Sequence, residues 1–513
     1  MKIKPYFKQL RRLSQIICMV IFLFLFRQTD YTGSDTIPYA VNILFRLDPL
    51  VLATLTLAKK MFITILWPAF IIIGLTFLFG RCFCSWVCPL GTLIDGSGHF
   101  IKSGKANVHL PYLKYVILII VLMSSAFGVQ VLGFVDPFSL LVRGMVFSID
   151  PVFHYLVSLG FDSIYTMGPS VFSDYTEPLY EWLKTFVLPF KQSFFDLSMV
   201  SFLLLVFIFL LELVGKRFWC KNLCPLGGLL ALISRLSVFK RRPVKSCKNC
   251  GLCETRCRMD AFDEGHGLKF EECTLCMDCL AFCPDQITHF KFGIPKNQTQ
   301  MNMNRRQLVT AGLAGLALPA LIQTSGMSKM TGDALIRPPG ALPEIDFLAS
   351  CVRCGECMKV CINHALQPLS FENGLEGLFT PKLVPRRGYC EFNCTLCTQV
   401  CPTGALEKLN VNQKHEVVMG KAYFEPARCL VYAQKKSCIV CEEHCPTHDK
   451  AIKFNEMITL DNDGNSIVLK QPYVKEELCI GCGICEYICP IQGSSGIRVV
   501  GRTSQEGARS GYA

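Results

Sequence analysis

Cys479-Ile-Gly-Cys482-Gly-Ile-Cys485-Glu-Tyr-Ile-Cys489-Pro490 sets three thiols on one short loop and a fourth three residues further on, followed by proline. Three thiolates so spaced grip one face of a [4Fe–4S] cube, while the fourth reaches the cube of a partner motif. The same C-x2-C-x2-C-x3-C spacing recurs at Cys247/Cys250/Cys253/Cys257, Cys273/Cys276/Cys279/Cys283 and Cys351/Cys354/Cys357/Cys361. Two more runs widen only the first gap: Cys390/Cys394/Cys397/Cys401 and Cys429/Cys438/Cys441/Cys445. Together the six motifs take 24 of the 30 cysteines. Tetrahedral zinc needs only two C-x2-C pairs and gives no reason for a four-cysteine run six times over. Near-identical runs are also unlike the irregular disulfide framework of a small secreted domain. The spacing therefore predicts six [4Fe–4S] clusters with these 24 cysteines as iron ligands, and electron transfer as the chemistry.

The rest of the chain is greasy. Over 513 residues the mean hydropathy is +0.36 and only 18% of residues are charged, which places the chain in a bilayer. Apolar runs near the ~20 residues that a hydrocarbon core requires occupy 61–80, 112–135 and 195–214. A shorter run at 13–26 follows the basic stretch Lys2 to Arg12 and lacks a small-residue cleavage site, so it reads as an uncleaved first helix rather than a signal peptide. Basic residues before helix one, after helix two (Arg81, Lys102, Lys105) and after helix four (Lys216, Arg217, Lys221, Arg235) put those ends in the cytoplasm. The net charge of +12 reflects these anchors in part. No nucleic-acid recognition module is present.

Composition divides the chain into a four-helix membrane domain at 1–242, a two-motif ferredoxin at 243–300, a segment at 301–343, and a four-motif polyferredoxin at 344–513. If the first ferredoxin exchanges its last ligands as such domains do, Cys247, Cys250 and Cys253 join Cys283, and Cys273, Cys276 and Cys279 join Cys257. Arg258 stands where proline usually follows the fourth cysteine. Arg305-Arg306 followed by an Ala/Gly-rich apolar stretch resembles a Tat export signal, so a crossing at about 307–322 would put 344–513 in the periplasm. The insert ITLDNDGNSIVLK predicts a β-hairpin turning at Asn462-Asp463-Gly464.

Within the membrane domain, Gly80-Arg81-Cys82-Phe83-Cys84-Ser-Trp-Val-Cys88-Pro89-Leu90-Gly91 is matched by Lys216-Arg217-Phe218-Trp219-Cys220-Lys-Asn-Leu-Cys224-Pro225-Leu226-Gly227. Upstream, Asp48-Pro49 and Asp136-Pro137 recur as well. Such a tandem repeat has its axis along the membrane normal and would bring Cys84, Cys88, Cys220 and Cys224 together at the cytoplasmic face. A seventh iron–sulfur site, a redox dithiol, a copper site on these soft ligands and plain packing are the competing readings. Asp48 and Asp136 are candidates for proton handling, with helix-starting turns as the bland alternative. His154 is placed in the outer loop between helices three and four, a core histidine or a base at a quinol site.

On the paired C-x3-C-P-L-G segments, Arg305-Arg306, and Pro385-Arg-Arg-Gly-Tyr-Cys390 through Cys401-Pro-Thr-Gly-Ala, residues 1–300 resemble the NapH family of membrane ferredoxins and residues 301–513 the NapG family of exported polyferredoxins. The fusion departs from those families, which encode the halves separately. NosR and the MauM/MauN proteins share one half or the other, which leaves the terminal acceptor open. The resemblance implies a fold class: an α-helical membrane domain, with four helices as a tandem repeat and a fifth Tat-like segment, carrying α+β bacterial-type ferredoxin domains. It implies a quinol dehydrogenase of the bacterial inner membrane, multi-pass, with the first ferredoxin cytoplasmic and the last block periplasmic. Its partners would be lipid and quinol, a periplasmic c-type cytochrome or reductase, and other membrane subunits. Likeness to four-cluster polyferredoxins of molybdenum oxidoreductases implies ligand sharing between the outer motifs (Cys351, Cys354, Cys357 with Cys489; Cys479, Cys482, Cys485 with Cys361). The inner motifs would share likewise (Cys390, Cys394, Cys397 with Cys445; Cys429, Cys438, Cys441 with Cys401). With no C-x-x-C-H and no Gly-rich nucleotide loop, the chain has no terminal substrate site of its own. A metallocentre-maturation or copper-reducing factor acting through the C-x3-C-P thiols, and an assembly scaffold, are the other classes of function.

Overall fold

A computed structural model describes residues 4–98, 100–101, 110–167, 170–186, 188–189, 191–243, 250–262, 268–283, 288–293, 304–324, 335–460 and 466–501. Cys247, Lys2, Lys102, Lys105 and the turn Asn462–Gly464 lie outside them.

Among the described residues each half contains more helices than the two the sequence suggested, and four of them occupy equivalent places in both halves. In the first half α1 (Lys4–Gln28) is followed by α2 (Pro49–Lys59), α3 (Ala69–Phe79) and α4 (Pro89–Ser97). In the second, α5 (Leu113–Ala126) is followed by α6 (Pro137–Gly144), then α7 (Ser198–Leu210) and α8 (Pro225–Ser234). Proline opens α2, α4, α6 and α8, where its missing N–H is not needed and its fixed φ suits the helix. The uniform greasiness of the predicted spans hid their ends. Residues 61–80 break at Pro68 into a 3-10 turn (Thr64–Leu66) and α3. Residues 112–135 stop being helical at Ala126, ahead of Gly128 with φ +80°.

Among the described residues two helical runs are long and apolar enough to cross a membrane, Tyr6–Gln28 and Pro137–Thr166. The second passes through a π-turn at Met145–Ile149 into Asp150–Met167, so the stretch read as an outer loop around His154 is helical, and His154 is buried in it. Helix α9 (Arg305–Thr324) lies along α5. A side chain on Gly315 would begin 2.8 Å from the Met123 Cβ, so this glycine permits the close approach.

Each ferredoxin block is short loops around cysteines, tied by antiparallel strand pairs. β1 (Phe239–Pro243) pairs with β2 (Thr288–Phe292), bracketing the first block. In the second block β3 (Leu366–Pro368) pairs with β4 (Pro381–Leu383), and β5 (Gly420–Phe424) with β8 (Ile497–Gly501). Strands β6 (Ile452–Leu460) and β7 (Ser466–Val474) form the expected hairpin.

The two blocks sit at opposite ends of the bundle. At the start of α1, Arg11 Nη1 donates to Cys276 O at 2.7 Å and pairs with Asp278 at 3.0 Å, while Lys114 at the start of α5 pairs with Glu272 at 2.5 Å. Beyond the far end of α1, Asp30 pairs with Lys359 at 2.7 Å, and past α5 the Gln130 carbonyl accepts from Arg353. Several cations read as juxtamembrane anchors are thus buried docking groups: Arg11, Arg81, Arg217 and Lys221 are each no more than 3% exposed.

Candidate functional site: iron–sulfur cradles at both ends of a two-fold bundle

Four sets of four thiols converge in the C-terminal block, but in a pairing other than the expected one. Cys351, Cys354, Cys357 and Cys401 line one small cavity; Cys429, Cys438, Cys441 and Cys489 a second; Cys479, Cys482, Cys485 and Cys445 a third. Cys390, Cys394 and Cys397 gather with Cys361. Sharing is therefore between neighbouring motifs, first with second and third with fourth. The outer-with-outer and inner-with-inner scheme is overturned, because each fourth cysteine leaves its loop beside the next motif in the same strand-tied unit. Contacts between sets order them in a row: Cys357 lies near Cys397, Cys390 near Cys482, and Cys485 near Cys441.

The cradles suit a cubane. Gly355 (φ +89°) and Gly483 (φ +84°), each just after the second cysteine of its motif, let the loop reverse into a short helix that carries the third. Met277 takes the same left-handed conformation (φ +61°) in the first block. Backbone N–H groups donate to sulfur at 3.4 Å from Leu406 to Cys401, Ala422 to Cys479, Gly496 to Cys489 and Ala261 to Cys257, contacts that favour thiolates and tune a bound cluster. Burial, then the neighbouring Cys438 and Cys429, push the Cys441 thiol up to about 12. Burial, then Asp278, pushes Cys276 up to about 11. Thiols that raise one another need a metal's positive charge to ionise at neutral pH. Among the described residues no three His, Cys, Asp or Glu side chains stand close enough to hold a single ion, whereas a cubane offers each thiol its own iron.

In the first block Cys257 comes near Cys276, consistent with its joining the Cys273 motif. Arg258, in the usual proline position, pairs with Asp95 at 3.1 Å and Asp278 at 2.7 Å and so clamps the block to α4.

The repeat brings Cys84, Cys88, Cys220 and Cys224 together between this block and the bundle, each of the buried Cys88 and Cys224 facing thiols of the other half. Gly227 N donates to Cys224 Sγ at 3.3 Å. Two arginines at equivalent repeat positions cross the axis: Arg81 Nη2 donates to Cys220 O and Arg217 Nη1 to Cys84 O, both at 3.5 Å. The sequence showed them only as charges; their shared place in the repeat was the available clue.

Asp48 and Asp136 are N-caps of α2 and α6, accepting at 2.7 Å from Leu50 N and Ser139 N, while the second oxygen of each, Asp48 Oδ2 and Asp136 Oδ1, is buried without a hydrogen-bond partner. Asp48 is 1% and Asp136 0% exposed. His154 Nε2 lies 3.5 Å from Asp150. Lys359 and Arg353, inside the Cys351 motif, are seam residues that the sequence reading missed. Lys359 bridges Asp30 and Asp150 at 2.7 and 2.8 Å, and Arg353 Nη2 donates to Glu376 O at 2.8 Å.

Comparison with known proteins matches residues 61–105 and 197–243, the two C-x3-C-P segments, to a 4Fe-4S binding domain. Residues 350–405 match a 4Fe-4S dicluster domain and 472–492 a further 4Fe-4S binding domain. The dicluster match spans the first two C-terminal motifs, the pair whose thiols interleave. The chain is 39% identical over 217 residues to the methylamine utilization ferredoxin-type protein MauM of Methylorubrum extorquens, covering 40% of this chain and 93% of that protein. It is 35% identical to MauM of Paracoccus denitrificans (38% and 84% covered) and 33% to the ferredoxin-type protein NapG of Escherichia coli (39% and 84%). No solved structure matches the chain.

Proposed function

As a member of the ferredoxin-type MauM/NapG family, this chain is an iron–sulfur electron-transfer protein, and we propose that it is a membrane-bound quinol dehydrogenase whose remaining part is a NapH-like half fused to that ferredoxin. In this reading residues 1–242 form the multi-pass membrane domain, 243–300 the cytoplasmic ferredoxin, 301–343 the crossing segment and linker, and 344–513 the periplasmic polyferredoxin, in the bacterial inner membrane. Electrons drawn from quinol leave to a periplasmic c-type cytochrome or reductase. The motif cysteines would hold six [4Fe–4S] clusters, and Cys84, Cys88, Cys220 and Cys224 a further iron–sulfur site, which would supply one-electron carriers.

The observation that carries the reading is the placement of cysteine-rich blocks at opposite ends of one apolar bundle, with a thiol quartet on its axis. Their docking points on the first helix and its end, Arg11 and Asp30, are separated by about 28 Å at 1.5 Å rise per residue, close to the ~30 Å of a hydrocarbon core. The buried Asp48 and Asp136 are the candidates for proton handling. A maturation or copper-reducing role would use the quartet on metal instead. In the quinol reading Cys88→Ser leaves the six motif clusters in place, reducible by dithionite but no longer by a quinol analogue. Continued reduction by quinol, with a metal defect only in a partner enzyme, would favour the maturation role.

A further inference from the structure

The open cleft between α4, the end of α7 and the first ferredoxin block measures about 470 Å³ and is lined by Ile94, Gly98, Glu212, Arg217, Asp278 and Phe282, among others. That lies within the ~300–1,000 Å³ of pockets that take drug-sized ligands. The polar cavity by Lys359 and His364 is only about 20 Å³, room for about one water, and the three other cavities described are the cysteine-lined cradles.

The larger cavity lies between two sets of cluster cysteines. On one wall Arg217, which donates to Cys84 O, is fixed by Asp95 at 2.8 Å. On the other, Asp278, between Cys276 and Cys279, is held by Arg258 at 2.7 Å and Arg11 at 3.0 Å. These carboxylates are committed to ion pairs. Glu212 is not: it is 5% exposed, and among the described residues no cation lies within salt-bridge distance of it. Its Oε2 stands 3.7 Å from where a side chain on Gly98 would begin, so it faces the cavity. Ile94 and Phe282 give the space apolar walls, and the half-exposed Leu213 and Leu210 beside it offer an apolar track outward.

Resting on the quinol reading above, we propose that this cavity binds the quinol head group and that Glu212 takes its protons. Oxidation of one quinol to quinone breaks two O–H bonds and releases two protons and two electrons. Glu212 accepts one proton, passes it to water near the exposed Lys216 and Arg256, and then accepts the second. Iron–sulfur clusters held by the neighbouring cysteines would supply the acceptors for the two electrons.

The test uses the full-length, detergent-solubilised chain and a photoreactive azidoquinone. The label is expected in peptides containing residues 94–101, 212–217 or 256–282, and excess quinone should compete it away. Gly98→Leu, at a position with ordinary helical φ and no atom within 3.4 Å of a new Cβ, fills the space beside Glu212 and should cut labelling about tenfold or more. Glu212→Gln should keep labelling within about twofold, since shape is conserved, while slowing quinol oxidation and removing the acid limb of its pH profile. Label found elsewhere, or competed by anionic phospholipid and not by quinone, overturns the site. Unchanged labelling and rate in Gly98→Leu does so too. A wild-type chain that dithionite reduces and a quinol analogue does not would instead sink the quinol reading itself. The wild-type label map stands even if a variant fails to fold.

Discussion

Replacing Cys401 by serine separates the two ligand schemes for the C-terminal block. In the structure Cys401 closes the cavity of Cys351, Cys354 and Cys357, with Leu406 N–H donating to its sulfur at 3.4 Å. Under the outer-with-outer, inner-with-inner scheme it would instead close the set of Cys429, Cys438 and Cys441. Losing a cube removes about four irons per chain either way, so iron content alone does not discriminate. The freed thiols do. Anaerobic alkylation followed by peptide mapping should find Cys351, Cys354 and Cys357 newly reactive in Cys401→Ser, and Cys429, Cys438 and Cys441 newly reactive in Cys489→Ser. Those six thiols are buried or half-buried, so the wild-type background is low and each variant should give a gain at three positions only. Alkylation of the Cys429 set in Cys401→Ser would refute the neighbouring-motif pairing.

Lys359→Met keeps the aliphatic stem but removes the cation shared by Asp30 and Asp150, leaving Asp30 with Arg27 alone; breaking a buried pair costs up to about 3–5 kcal/mol, and faster proteolytic release of residues 344–501 from the bundle should report it. Met277→Gly relieves a left-handed backbone where sister motifs use glycine and should raise the stability of the first block by up to about 1 kcal/mol, a gain that a lower melting temperature would contradict. Stripping iron should unfold both ferredoxin blocks, visible as lost circular dichroism, because among the described residues their longest helix is the seven residues Glu344–Ser350 and helices that short do not persist unaided. Arg305→Lys with Arg306→Lys should strand the C-terminal block on the cytoplasmic side, since a receptor reads the pair and not its charge; a reporter after residue 513 that still crosses would show otherwise.

The cysteine spacing made the cradles legible because three ligands of each cube lie within one loop. The fourth was not legible: a C-x3-C tail says that a ligand departs and not where it lands, and only β3 to β8 decide which motif is its neighbour. Helix ends were hidden for a related reason. In a run such as residues 61–80 every face is apolar, so no 3.6-residue pattern marks where the helix stops, and Pro68 and Gly128 carried the information. Seam cations escaped because lysine and arginine read as exposed by default, yet Arg353 and Lys359 sit inside a cysteine motif, where a charge is forced against whatever the loop packs on.

The two repeated segments bring their thiols together, and their departures from one another say what else each half does. Identical positions build the symmetric pairs: Asp48 with Asp136, Arg81 crossing to Cys220 as Arg217 crosses to Cys84. Three residues before each aspartate the halves differ. Phe45 in the first half meets Phe138 edge-to-face at 6.2 Å, and Phe138 in turn meets Phe83 edge-to-face at 6.1 Å next to Cys84, filling the core. Its counterpart Gly133 has no side chain, and one there would begin 2.4 Å from the Val352 carbonyl. The second half gives up a core ring so that the Cys351 loop can seat on the bundle. A single position thus switches the repeat from packing on itself to receiving the polyferredoxin, and any side chain at Gly133 has to lift that loop away from the seam.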